Sequence, residues 1–157
     1  MLDGVIDIYL PDIKYSSDVH AAKFSDCSNY MESSRQAIKE MYRQAGNLIA
    51  DESGIAQRGL IVRHLILPND VAGSDDSLRW LVNNFSNDVT VSIMAQYYPC
   101  HLAPQEPLIS RKISLQEYSH VAETVTDLGM ENGWLQEIDS AEFYLPDFNR
   151  PGRPFST

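Results

Sequence analysis

The sequence is short of two residue types that would narrow its chemistry at once, cysteine and base. Only Cys27 and Cys100 occur among 157 residues. They lie far apart and nothing in their spacing asks for a bridge, so two buried thiols are expected. Lysine and arginine number 12 against 22 aspartates and glutamates, a formal charge of -10. That balance excludes a broad nucleic-acid footprint and leaves room only for a local basic pocket. No apolar run reaches the roughly 18 residues of a membrane span, and the start of the chain lacks the basic stretch and apolar core of a signal peptide. The expectation is a soluble cytoplasmic protein with no membrane partner. Missing too are a GxGxxG after the first strand, GxxxxGK[ST], GxSxG and HExxH. Each absence removes support from a familiar nucleotide cradle, hydrolase elbow or zinc helix.

What is present reads as strand then helix, three times over. Hydrophobic residues make up 43% of the chain, enough for a real core. The first strand is expected over about 5 to 10. A polar loop follows, then a helix in ESSRQAIKEMYRQAG, where Ala37, Ile38, Met41, Tyr42 and Ala45 recur at helical spacing and Gly46 ends the run. GLIVRHLIL, 59 to 67, is nearly continuously apolar and predicts a parallel strand covered on both faces. Ser74 reads as a helix cap ahead of Leu78, Leu81, Val82 and Phe85. The third strand is VTVSIM, 89 to 94, and Ser114 with Glu117 forms a capping box before the third helix, closed by Gly129. Residues 1–129 thus hold three βα units of an α/β fold, an open sheet or a barrel segment. Residues 130–157 hold a short strand near Trp134 to Gln136 and a Pro/Gly/aromatic tail.

Parallel α/β proteins gather functional groups at the C-terminal ends of their strands. The string VIDIYLPDIK delivers Asp12 and Lys14 there, two residues apart and so on one side of an extended chain. The second strand offers Arg63 and His64 on opposite sides. A guanidinium suits a carboxylate or phosphate, whereas a histidine in an apolar strand is more often a satisfied core group. The third strand ends in Gln96, Tyr97 and Tyr98, with Cys100 and His101 beyond. Cys100 and His101 look like half a metal site, and no second close pair supports it. From the residues alone, the chain is an acidic α/β unit that binds a small zwitterion or anion at its strand ends, or a chain using these groups only for structure.

DIYLPDIKY, GLIVRHLILPND, SIMAQYYPCH and LGMENGWLQ, in that order, resemble the C-terminal half of radical S-adenosylmethionine proteins. The closest group is the homologues of pyruvate formate-lyase activating enzyme. The resemblance implies the fourth, fifth and sixth units of an incomplete (β/α)6 barrel, so that this chain is a partial barrel whose first three units lie elsewhere. It implies S-adenosylmethionine as cofactor, with Asp12, Lys14 and Arg63 around it and Gln96 and Tyr97 in the adenine or substrate neighbourhood. Asn69 in LPND stands where that family usually has glycine. The family also carries a [4Fe-4S] cluster on a CxxxCxxC loop, from which cleavage of the sulfonium gives a 5'-deoxyadenosyl radical. Two cysteines here fall short of three ligands, so the cluster is expected in a full-length parent only. Iron–sulfur, metal-binding and oxidoreductase character nonetheless follow from the resemblance as expectations for the protein as a whole. The implied partners are the missing N-terminal half or a protein bearing a glycine radical site. The alternative is a non-catalytic half-barrel that binds a protein or pairs with itself. An unrelated α/β hydrolase or metal enzyme using His64 or His101 is the third reading.

Overall fold

A computed structural model of the chain describes residues 2–143. The element order is β1 (Ile8–Tyr9), α1 (Asp18–Ser25), α2 (Tyr30–Ala45), β2 (Ile49–Ala50), β3 (Ala56–Leu65), α3 (Ser74–Phe85), β4 (Thr90–Met94), α4 (Leu115–Asp127), β5 (Gly133–Leu135) and the single turn α5 (Ser140–Phe143). Four strands run parallel in the order β1-β3-β4-β5, and β2 adds a short antiparallel pairing to β3. The fold is α/β with a mostly parallel sheet. The tail beyond residue 143 lies outside the described residues.

Spatial order here follows chain order among the parallel strands. With crossovers of a single hand, such an order brings every connecting helix to the same face. The core shows this. Ile38 and Ala45 of α2, Leu78 and Leu81 of α3 and Val121 of α4 pack on Leu60, Val62, Val91 and Ile93. The opposite parity of the same strands, Arg63, Leu65, Ser92 and Met94, is half-exposed. The expectation that GLIVRHLIL is covered on both faces is therefore corrected. On the other face Arg63, Ser92 and Met94 stay half-exposed, Ile61 and Thr90 are buried at the lower end, and Leu65 packs against a second apolar cluster that includes Ala21 of α1.

The buried His64 ring sets where β1 and β3 part. Their backbone ladder runs from Arg63 N–H to the Pro11 carbonyl and from Ile13 N–H to the Arg63 carbonyl, each 2.9 Å. The Ile13 carbonyl is then taken by His64 Nδ1 at 2.7 Å, while Nε2 lies 2.8 Å from the Ser74 hydroxyl. A carbonyl only accepts, so Nδ1 carries the proton and Ser74 donates to Nε2. Past Ile13 the chain turns away from β3. The Lys14 N–H finds the Tyr30 hydroxyl at 2.7 Å, and the Ser16 N–H finds the Ala72 carbonyl at 2.9 Å. Gly73 must be glycine at this junction, because its φ is +60° and a Cβ would collide with the Ser16 hydroxyl.

Three further expectations need correction. Gly73, not Ser74, is the N-cap of α3, and the Ser74 side chain serves His64 instead. Cys27 and Cys100 are free thiols, but Cys27 is half-buried and Cys100 exposed. Helix α1 occupies part of the expected polar loop, capped by Ser17, whose side chain accepts from His20 N–H. The capping box is as read: Ser114 Oγ accepts from Glu117 N–H at 3.2 Å, and Glu117 accepts from Ser114 N–H at 2.7 Å.

Burial pushes the His64 pKa below its ordinary 6.5. The folded state therefore refuses a proton that the unfolded chain accepts below that pH. Its contribution is present above pH 6.5 and is lost as pH falls toward the folded-state pKa, with a slope of at most about 1.4 kcal/mol per pH unit. Urea unfolding of wild type and His64→Gln between about pH 7.5 and 5 checks this. Wild type should show the steeper acid loss, and identical slopes would mean that His64 does not titrate as a buried neutral ring.

Candidate functional site

Strand register aligns side chains across the open face. Asp12 pairs with Arg63, Arg63 with Ser92 and Ser92 with Trp134, so these four residues form one row. Lys14 follows Asp12 by two residues, and Leu65, Met94 and Gln96 continue the same parity. At the C-terminal ends of the strands, Asp12, Ile13, Lys14, Arg63, Leu65, Met94 and Gln96 line a pocket of about 180 Å³. Four of the five expected site residues thus meet in one place.

The charged pair at its centre is half-solvated. Arg63 Nε donates to Asp12 Oδ1 at 2.7 Å, with the two side chains 42% and 44% exposed. Nε is the only Arg63 side-chain nitrogen committed among the described residues, which leaves both terminal nitrogens to a ligand. The Lys14 ammonium has no ion pair or hydrogen bond among the described residues, although its backbone is held by Tyr30. Gln96 is fixed by a relay: Gln136 Nε2 donates to Gln96 Oε1, and Ala95 N–H donates to Gln136 Oε1, each 3.1 Å. The pocket therefore presents two cations, one carboxylate and one oriented amide. That set fits a small zwitterion, with its carboxylate on Arg63 and Lys14 and its ammonium toward Asp12.

Tyr97 stands apart from these four. Its hydroxyl donates to the Ile109 carbonyl at 2.7 Å, and burial pushes its pKa up. It lines a neighbouring pocket that shares Lys14 and Leu65 with the first. Tyr30 and Gln136 were not singled out from the sequence. Nothing local in the sequence marks either one, because each acts through a contact made only in the fold.

The turn after β3 is tied to α4 and to the loop before it. Asn69 takes φ 55° and ψ 30°, the left-handed backbone that a glycine would adopt. Its N–H donates to Glu117 Oε1 at 2.6 Å, and its side chain bonds the Leu108 carbonyl at 2.8 Å and Arg111 at 3.0 Å. Arg111 is the main cause of a Glu117 pKa lowered to about 2. His101 is exposed on a loop, with φ 55°. His64 and Ser74 have the contact of a base and a nucleophile, but at 0% and 3% exposure no substrate reaches them.

The metal-binding and iron–sulfur character that the resemblance implied is overturned for the described residues. Among the described residues no group of three or more His, Cys, Asp or Glu could hold a metal ion, and the two thiols are far apart in sequence and sit on different loops. Among the described residues, no helix is long and apolar enough to cross a membrane.

Fold and pocket together define an α/β protein of enzyme-like architecture, with a small charged site at its strand ends. No family model matches the chain, so the radical S-adenosylmethionine assignment gains no support from that side. No solved structure matches it either. It is similar to Uncharacterized protein MJ0674 of Methanocaldococcus jannaschii, with 26% identity over 123 residues. The match covers 78% of this chain and 32% of that protein, so the chain spans about a third of the relative's length.

A half-exposed ion pair contributes roughly 0–1 kcal/mol to stability. Asp12→Ala and Arg63→Ala should each shift the urea-unfolding free energy by less than about 1 kcal/mol. A loss near 3 kcal/mol would make the pair a structural element rather than a poised binding group.

Proposed function

We propose that the pocket of Asp12, Lys14, Arg63 and Gln96 binds the amino-acid end of a small zwitterionic molecule, and that this molecule is S-adenosylmethionine. The observation that carries the reading is a guanidinium with only its Nε engaged, by Asp12, and an unpaired ammonium among the described residues, both lining one strand-end pocket. Arg63 and Lys14 anchor the ligand's carboxylate by charge-assisted hydrogen bonds. Asp12 orients Arg63 and attracts the ligand's ammonium, and Gln96 supplies a fixed polar contact. None of these groups is placed to act as a nucleophile, so the chain's part is binding and orientation.

In this reading the chain is the second half of a (β/α) barrel from a parent resembling the glycyl-radical activating enzymes. The open face of the sheet then becomes barrel interior once the remaining strands close on β1 and β5. The redox chemistry and any iron–sulfur cluster belong to the rest of that parent, with a protein glycine or a small molecule as final substrate. The matched residues make up only 32% of the archaeal relative, which supports a longer parent.

A second reading rests on a different observation. Leu10 is 51% exposed near one edge of the sheet and Trp134 is 56% exposed at the other. Edges of this kind suit a half-barrel that pairs with a protein partner or with a second copy, without catalysis.

Isothermal titration of the chain with S-adenosylmethionine tests the first reading. Binding in the high-micromolar to millimolar range is expected, roughly tenfold weaker in Arg63→Ala and in Lys14→Ala. No heat at millimolar ligand from a folded chain, with a dimer found by sedimentation, would favour the second.

A further inference from the structure

The fork between β1 and β3 opens a second cavity. Its volume is about 210 Å³, and it lies beside the charged pocket, with Lys14 and Leu65 forming the shared wall. The far walls are made of rings and branched side chains, principally Tyr15, Phe24, Leu67, Tyr97 and Ile109. Both inner tyrosines have their hydroxyls tied off. Tyr15 pairs with the Ser25 hydroxyl at 2.9 Å and Tyr97 donates to the Ile109 carbonyl at 2.7 Å. What these side chains offer a ligand is therefore ring surface. An apolar cavity of about 150 Å³ is known to hold benzene, so this one admits a single substituted ring or an indole and little more. Edge-to-face and offset contacts with the surrounding rings favour an aromatic occupant over an aliphatic one.

A cation in the shared wall bears on the charge of that occupant. The Lys14 ammonium has no partner among the described residues, and its side chain bounds both cavities. We propose that the second cavity is a separate small-molecule site for an aromatic carboxylic acid. The ring lies among Tyr15, Phe24 and Tyr97, and the carboxylate reaches Lys14. The proposal does not depend on S-adenosylmethionine being the occupant of the first pocket. Lys14 then borders both sites, and the second lies beside the first whichever molecule occupies that one.

Cys100 supplies a reporter, because it lines this cavity and is exposed, while Cys27 is half-buried elsewhere. Phenylacetate is the probe, with benzyl alcohol as its uncharged comparator. Alkylation of each thiol by iodoacetamide is followed by mass spectrometry in wild type, Lys14→Met, Arg63→Ala and Ala103→Trp, the last filling the cavity from its loop wall. Phenylacetate should bind with a Kd near 1 mM, which suits a ligand of ten heavy atoms. At about twice that concentration it should slow Cys100 alkylation roughly threefold and leave Cys27 unchanged. Arg63→Ala should keep this protection, Lys14→Met should lose it, and benzyl alcohol should protect less. Absence of protection in folded wild type overturns the proposal, whatever the variants do. So does protection that persists in a folded Ala103→Trp protein. Failure of S-adenosylmethionine to bind would leave these outcomes untouched, so the two readings fail separately.

Discussion

The hydrogen bond from the buried His64 ring to the Ile13 carbonyl is the constraint on which the business end of this molecule depends. It ends the backbone ladder between β1 and β3 without leaving an orphaned acceptor in the core, where an unpaired carbonyl would cost on the order of 1–3 kcal/mol. The imidazole also reaches Ser74 in the first turn of α3, so one side chain ties two strands to a helix. Because the ladder ends there, the chain is free to diverge at Lys14, and both cavities border that divergence. The contacts of a residue with no access to solvent thus help shape two cavities that do have it.

A buried strand can deliver charge because its two faces answer to different surroundings. Leu60, Val62 and His64 face the helices, and Arg63 and Leu65 face the open side. A guanidinium in the middle of β3 would be intolerable on the first face and is half-hydrated on the second. Asp12 meets it from the neighbouring strand with only a 2.7 Å Nε contact. That pairing is firm enough to set direction and too exposed to be a stability device. The same open face leaves Leu10 and Trp134 partly uncovered, near the two edges of the sheet.

The parts of the fold carried by local pattern were legible in the sequence. The apolar run of β3 and the helical spacing of α2 and α3 reappear within a few residues of where they were expected, and the Ser114–Glu117 box sits where it was read. Alternation within DIK also foretold that Asp12 and Lys14 would share a side. What stayed hidden depends on tertiary contact. Helix α1 buries only Ala21, too little to leave a periodic signature. The two residues of β2 are both exposed and exist as strand only through pairing with β3. Tyr97 looked like a neighbour of Gln96 in function because it is one in sequence, yet parity sends its ring to the other cavity. Ser74 has the side chain of a helix cap, and only the fold reveals that His64 claims it.

The adjacency of Arg63 and His64 has a consequence for how the chain finds its native pairing. A slip of one residue in β3 moves every side chain to the opposite face of the sheet. For a uniformly apolar strand such an error is cheap and easily trapped. Here it would drive a guanidinium into the space between sheet and helices, an uncompensated buried charge costing several kcal/mol, and strip the Ile13 carbonyl of its donor. The dipeptide therefore penalises the shifted alignment at the same position where the native one brings Arg63 to Asp12 and His64 to Ile13.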